Sequence, residues 1–307
     1  MLIASLGPVA AVSPSVTITT AASPFEVTVN LPIAYVVSVT NGSNNALKNL
    51  RISGTTSVPL TYLGAAPAAA CSQSLATCLF NGLAAGQTAQ AIFYFQAPAA
   101  AGSFDFTALA NFDGQTTESP AAYQNTLNSV VHTVVLALDQ DFVRGHSVAG
   151  FRTFSTGLGN LGNANRHGTE VALTSNGEVT LEDLAANDPR GSCANLVGAV
   201  TSLPCFGEAS HLSVANGATL PGGIKVTMRW DYTDLPNGMT EKKLHIVHIY
   251  DPGVLVGGQS YEQVTNLCNS TVAPTNLPCL AGAPVRLADK DILATFWLPF
   301  NGVSKGW

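Results

Sequence analysis

The sequence predicts an all-β protein made of two tandem β-sandwich-like domains. Three observations lead there. No stretch of about 11 residues holds a capped 3.6-residue apolar period, whereas short runs of period-two alternation recur from end to end. Those runs are bounded by Gly, Pro and Asn-Gly turn signals. The chain has 307 residues, 46% of them hydrophobic, which is enough for two cores at roughly 100–200 residues each.

In the first half, strands are expected at Val16–Thr20, Phe25–Asn30, Tyr35–Thr40, Leu47–Ser53, Thr61–Leu63, Thr88–Gln96 and Ser103–Phe112. Val16–Thr20 and Phe25–Asn30 alternate cleanly. Tyr35–Thr40 runs into Asn41-Gly42, a strong turn dipeptide. Leu50 and Ile52 share one face of their strand. Phe93, Tyr94 and Phe95 are consecutive, so at least one of them is expected to face outward.

Residues 1–13 form an apolar N-terminal segment without the positive start of a signal peptide. A strand from residues 1–22 is expected to add to the sheet edge of a neighbouring molecule. The polar run Asp113–Asn128 marks the domain boundary, with a first domain at 14–115, a linker at 116–126 and a second domain at 127–307.

Composition narrows the function. Charged residues make up 10% of the chain, against about 25% in ordinary soluble domains. Ser, Thr, Asn and Gln must therefore supply the polar surface, as in many secreted β proteins. The formal charge is −6, and the 13 basic residues are scattered. No basic stripe faces a phosphate backbone, which argues against nucleic acid. No apolar run reaches the ~20 residues of a membrane-spanning helix.

The six cysteines fall into the close pairs Cys71/Cys78, Cys193/Cys205 and Cys268/Cys279. An even count at short separations predicts local disulfides in an oxidising compartment. Each closes a loop of about 8–13 residues, which contributes on the order of 2.5–3 kcal/mol by restricting the unfolded chain. None has the C-x2-4-C spacing of a zinc knuckle.

Four features of the first half occur in a fixed order: the strand Tyr35-Val-Val-Ser-Val-Thr-Asn41, the Cys71/Cys78 spacer, the turn Leu83-Ala-Ala-Gly86-Gln, and the run ending Phe106-Thr-Ala-Leu-Ala-Asn111-Phe. In this it resembles the bacterial surface-repeat family called domain of unknown function 11, over about residues 14–115. Asn41, Cys71, Cys78, Gly86 and Asn111 match its characteristic positions, whereas the acidic residue the family often carries after the Asn41 strand is missing. The resemblance implies an immunoglobulin-like sandwich on a secreted or wall-associated protein, without catalytic residues.

In the second half, strands are expected at Leu127–Leu138, Val148–Thr156, Thr169–Thr174, Glu178–Glu182, Ile224–Tyr232, Leu244–Tyr250 and Ile292–Leu298. Ser175-Asn176-Gly177 reads as a hairpin turn. Along Ile224–Tyr232 the even positions are apolar, and Lys225, Thr227, Arg229 and Asp231 are expected on the solvated face.

Candidate chemistry is sparse. Gly157-Leu-Gly-Asn-Leu-Gly162 fits a dinucleotide fingerprint, but the Asn-rich residues after it do not sustain the helix that would hold pyrophosphate. Asn160, Asn163, Asn165, Arg166 and His167 in that loop are the candidate binding residues. His245 and His248 lie three apart on a strand and point to opposite faces, so they cannot chelate one ion. His132 is expected to be half-buried beside Val130, Val134 and Leu136. Asp139, Asp141, Asp183, Asp188, Asp231 and Asp234 read as solvated acids, with Ca2+ as the minor alternative. Gly145-His146-Ser147 places a histidine beside a serine, but strand neighbours point apart. Trp297 sits among core residues and Trp307 ends the chain.

The expectation is a non-catalytic, exported structural subunit of a fibre, sheath or surface layer. Its partners are copies of itself or neighbouring surface proteins, and it needs no cofactor. The alternative is an adhesin-type module for glycan or protein. A secreted hydrolase is the third reading.

Overall fold

The computed structural model describes residues 16–113, 125–157, 168–173, 176–184, 209–215, 220–231, 235, 237–244, 246–250, 260–268, 277–288, 291–300 and 305–306. The chain divides into two compact units. The first comprises Met1–Ala22, Ala34–Phe95 and Phe104–Thr133, and the second Ser23–Ile33, Gln96–Ser103 and Val134–Trp307.

The first nine strands are β1 (Val16–Ser23), β2 (Glu26–Thr28), β3 (Pro32–Asn41), β4 (Lys48–Thr56), β5 (Thr61–Ala66), β6 (Thr77–Phe80), β7 (Thr88–Gln96), β8 (Gly102–Asp113) and β9 (Asn125–Leu136). One sheet runs β1-β3-β7-β5, and the other runs β2-β9-β8-β4-β6. With β1, β3, β4, β5, β7, β8 and β9 lettered A to G, the sheets are ABED and GFC, the immunoglobulin-like arrangement. β2 lies parallel to the end of β9, pairing Glu26 with Val134. β6 is an extra strand on the outside of β4, formed within the connection from β5 to β7.

Alternation builds the core of the first unit. Tyr35, Val37 and Val39 of β3 and Phe93 and Phe95 of β7 are buried, as are Leu50 and Ile52 of β4 and Phe106, Ala108 and Ala110 of β8. The Tyr35 ring stacks on Phe106 at 4.0 Å between centroids, and Phe95 meets Phe106 edge-on at 5.9 Å. Tyr35 Oη and Thr133 Oγ1 are 2.8 Å apart, so the one polar atom of that stack is satisfied.

Several expectations need correction here. The Leu127–Leu138 run does not open a second domain. It is β9, the strand that completes the GFC sheet, and a first domain ending at residue 115 lacks that strand. The 116–126 linker lies outside the described residues except for residues 125 and 126, which belong to β9. None of Phe93, Tyr94 and Phe95 faces solvent: β7 is flanked by β3 and β5, and all three rings are buried. His132 is exposed and pairs with Asp105 at 2.8 Å, because β9 turns Thr133 and Val135 inward instead. Val16–Ser23 is the edge strand of the sheet β1-β3-β7-β5.

The second unit contains β10 (Phe142–Ser147), β11 (Thr153–Ser155), β12 (Gly168–Ala172), β13 (Gly177–Leu184), β14 (Ala209–Ala215), β15 (Leu220–Trp230), β16 (Ile246–Tyr250), β17 (Ser260–Val264), β18 (Cys279–Leu280), β19 (Val285–Arg286), β20 (Ile292–Phe300) and β21 (Lys305–Gly306). A 3-10 turn, Glu241–Lys243, precedes β16. The two sheets run β10-β13-β14-β21-β16-β17 and β11-β12-β15-β20-β18, and β19 pairs with β20. Val179, Leu181, Leu212 and Val214 of the first sheet pack with Val171, Ile224, Val226, Phe296 and Leu298 of the second in one core.

The expected strand Val148–Thr156 is broken at Gly150, where φ is +88° and Val148 pairs back to Phe151. The strand before it, β10, gave no clear alternation. β12 and β13 do not pair as the hairpin expected there: β12 pairs with β11 and β15, and β13 with β10 and β14. Leu173 and Val179 enter the same core, so this connection carries the chain from one sheet to the other. Arg229 is not solvated. It is 3% exposed, and its Nε donates to Asp291 Oδ2 at 2.8 Å, with Asp291 0% exposed. Asp291 directly precedes β20, and its carbonyl accepts from Leu287 N at 2.7 Å.

Candidate functional site

Two of the three expected disulfides lie among the described residues, Cys71–Cys78 and Cys268–Cys279. Cys193 and Cys205 lie outside them. The Cys71–Cys78 loop closes two sheet edges at once. Against β6, Ser72 N donates to Thr77 O at 2.9 Å and Leu79 N to Ala70 O at 2.8 Å. Against β5, Gln73 Nε2 takes the carbonyl of Ala65 at 3.0 Å, and Tyr62 Oη donates to Ser72 O at 2.8 Å. Gly64 of β5 has φ +128°, so the backbone there departs from regular pleat.

The opposite edge, β1, is different. Its residues are Val-Thr-Ile-Thr-Thr-Ala-Ala-Ser, and Thr17, Thr19 and Ala21 are exposed. No Lys, Pro or acid interrupts it. The sheet β1-β3-β7-β5 carries no Asp, Glu, Lys, Arg or His at all. Its outer face is a hydroxyl and amide surface, with Thr40 Oγ1 2.8 Å from Thr88 Oγ1 and Gln90 Nε2 donating to Ser38 Oγ at 3.4 Å. The strand charges of the first unit sit on the other sheet, at Lys48, Arg51, Asp105, Asp113 and His132.

Asn41, Gly86 and Asn111, singled out in the sequence, make structural contacts. Asn41 is buried at the end of β3. Its Nδ2 donates to Asn45 O at 2.8 Å and Leu83 O at 2.9 Å, and its Oδ1 accepts from Ser43 N and Ser43 Oγ. Gly86 has φ +72° and donates its N–H to Asn41 O at 2.7 Å. Asn111 accepts from Arg51 at 3.2 Å and donates to Thr126 at 2.8 Å, linking three strands.

In the second unit the strand registers gather ionisable groups on the outer face of β10, β13 and β14. Phe142, Glu182 and His211 form one cross-strand row, Arg144, Thr180 and Ser213 the next, and His146, Glu178 and Ala215 the third. The segment before β3 lies against β10. Thr28 Oγ1 accepts from Arg144 N at 2.9 Å, and Glu26 Oε2 from Arg144 Nη1 at 3.2 Å. The guanidinium lies 5.8 Å from the centroids of both Phe25 and Phe142, within the range of cation–π attraction. Phe25 remains 59% exposed.

Ser23, His146 and Glu178 superficially resemble a nucleophile set. Ser23 Oγ donates to Glu178 Oε2 at 3.3 Å and lies 3.4 Å from His146 Nδ1. In a triad the imidazole stands between hydroxyl and carboxylate, whereas here the hydroxyl stands in the middle and is buried. Glu178 and Glu182 lie four residues apart on β13, about 13 Å at ~3.3 Å per residue. That exceeds the roughly 5–9.5 Å of glycosidase carboxylates. Among the described residues no cluster of acids, histidines and cysteines has metal-site geometry.

Burial lowers the His146 imidazole to about 4, partly offset by its contact with Ser23. A depressed histidine contributes stability above its unfolded value near 6.5 and loses it as pH falls toward 4. We expect the second unit to lose about 3 kcal/mol over that window. His146→Asn, which keeps a polar atom near Nδ1, flattens the slope in urea titrations at stepped pH; an unchanged slope contradicts the assignment.

Asp183 was expected to be a solvated acid but lies in β13 among buried hydroxyls. It accepts from Ser210 Oγ at 2.7 Å and from Thr156 Oγ1, and Thr169 Oγ1 bonds Ser210 Oγ. Burial raises its carboxyl above the ordinary value, against the hydroxyls that favour the anion. Its contribution has the opposite sign to that of His146, with stability gained as pH falls through the raised value. The network joins strands of both sheets. Asp139 and Asp141 form a local turn, with Asp141 N donating to Asp139 Oδ1 at 2.8 Å. Trp297 is buried, as expected. Asn160, Asn163, Asn165, Arg166, His167, Asp188, Asp234, His245 and Trp307 lie outside the described residues, as does the side chain of His248.

No family model matches the chain, and no curated protein matches it. Among solved structures it is similar to the CARDB domain of a Pyrococcus furiosus protein, solved with di-metal ions. The identity is 15%, covering 41% of this chain and 96% of that one, with a TM-score of 0.28. It is also similar to a structure of zinc 2-glycoprotein with prolactin inducible protein from human seminal plasma, at 13% identity, 39% and 93% coverage and TM-score 0.29. A third is Escherichia coli alpha-2-macroglobulin from domain MG7 onward, at 13% identity, 63% and 26% coverage and TM-score 0.32. Alignments this loose carry no residue or activity to this chain.

Proposed function

We propose that this chain is a non-catalytic structural module of an assembly outside the cytoplasm, such as a fibre, sheath or surface layer. The observation that carries this reading is the uncharged sheet β1-β3-β7-β5, closed at β5 by the disulfide loop and, among the described residues, unpaired on the outer side of β1. Edge strands of soluble proteins are ordinarily blunted by charge, proline or a covering loop. An unblunted one on an uncharged sheet is suited to self-association. The local disulfides and the likeness to surface repeats support an oxidising, extracytoplasmic setting. Light scattering with negative-stain imaging of the non-reduced protein tests the reading. Particles well above the 31.7 kDa of one chain are expected; a 31.7 kDa monomer at every concentration contradicts it.

One observation favours a second reading, a binding module for glycan or a neighbouring protein. Phe25 exposes its ring beside the Arg144–Glu26 pair. An aromatic platform next to a carboxylate and a guanidinium matches the chemistry of a sugar face. On that reading Phe25→Ala abolishes capture on a glycan array while leaving particle size unchanged.

A further inference from the structure

We infer that two copies of this chain pair through β1, antiparallel and about a two-fold axis, into one continuous eight-stranded sheet. The interface rests on the assembly reading above and narrows its partner to a second copy. The reasoning begins with the two ends of the sheet. At β5, Gln73 takes the Ala65 carbonyl and Gly64 leaves regular pleat. A strand approaching from that side finds an occupied acceptor and broken geometry. At β1 no described residue pairs on the side away from β3. Head-to-tail addition needs β1 of one copy to meet β5 of the next, and β5 is covered. For this sheet that leaves β1 against β1, an isologous contact that closes on itself.

Side chains and charge agree with that contact. Centring the axis on Thr19 sets Thr17 opposite Ala21 of the other copy, and Ile18 opposite Thr20. Outward residues stay outward on both sides, because an axis perpendicular to the sheet preserves its faces. The whole chain carries −6, which opposes association. The two β1 strands that meet carry no charge, so like charges do not face each other across the seam. Sheet-edge pairing stops at two copies, and any longer fibre grows through a different surface of the dimer.

Thr19→Lys tests the seam, since it places two ammonium groups opposite each other across the axis. By light scattering over a concentration series, the unaltered protein is expected at twice 31.7 kDa or a multiple of it. Thr19→Lys is expected to raise the concentration at which dimers form by about tenfold or more. Thr19→Cys gives an independent readout: mild oxidation yields a covalent dimer on a non-reducing gel, while Thr61→Cys on β5 does not. Larger particles unaffected by Thr19→Lys, without the Thr19→Cys cross-link, overturn the β1 seam and leave the assembly reading standing. A monomer throughout overturns both.

Discussion

Replacing Asp291 with alanine lowers the stability of the second unit by about 3–5 kcal/mol, because it leaves the Arg229 guanidinium charged in a site it cannot leave. The pair is buried on both sides, at 3% and 0% exposure, with 2.8 Å between Nε and Oδ2. Its worth lies in being complete: an ion pair out of water offsets its own desolvation only while both charges are present. The double replacement Arg229→Met with Asp291→Leu is therefore expected to recover most of what the single one loses. The readout is convenient. Trp230, Trp297 and Trp307 all belong to the second unit, and Trp230 pairs with Ile292, next to Asp291. The urea midpoint followed by tryptophan fluorescence should fall sharply in Asp291→Ala. A shift within about 0.5 kcal/mol, the ordinary range of a surface change, contradicts the buried placement.

In the first unit the largest loss is expected from Phe106→Ala, about 3–5 kcal/mol for removing a buried aromatic ring and leaving its cavity. Phe106 stacks on Tyr35 and touches Phe93 and Phe95. Gly54 lies against the ring. A Cβ added there stands 2.5 Å from Phe106 Cε2 and Cζ, and Tyr35 stacked on Phe106 keeps the ring from yielding. Gly54→Ala alone is therefore destabilising, yet in the Phe106→Ala background its methyl enters the vacated space. The double variant should lose less than the sum of the singles by at least about 1 kcal/mol. The first unit has no tryptophan, so near-ultraviolet dichroism of its tyrosines is the signal. Strict additivity contradicts the packing described.

Strand positions were legible wherever one face was buried and the other wet. Val16–Thr20, Leu47–Ser53 and Ile224–Tyr232 alternate, and the structure has β1, β4 and β15 there. Three kinds of feature were not legible. Sheet membership is one: Asn41-Gly42 and Ser175-Asn176-Gly177 announce turns, but local chemistry does not say whether a turn joins neighbours in one sheet or crosses to the other. Continuous apolar runs are another, since the 127–138 run has no phase and gave the wrong one for His132. Ionisable groups on strands are the third. Arg229 and Asp183 looked solvated because charge ordinarily faces water. Their partners, Asp291 and Ser210, come from strands far along the chain that no spacing rule connects. The candidate edge was half legible, because Val16–Thr20 reads as uncharged strand. The Gln73–Ala65 contact that closes the other edge depends on how a stapled loop folds back, and no residue pattern reports it.

Hydrogen–deuterium exchange at low and high protein concentration tests most directly the claim that β1 is the open edge and β5 the closed one. Amides of Val16–Ser23 that point away from β3 are expected to exchange quickly in dilute protein and to slow as concentration rises, while those of Thr61–Ala66 stay unchanged. Exchange in β1 that is independent of concentration, or slowing in β5 instead, contradicts the account.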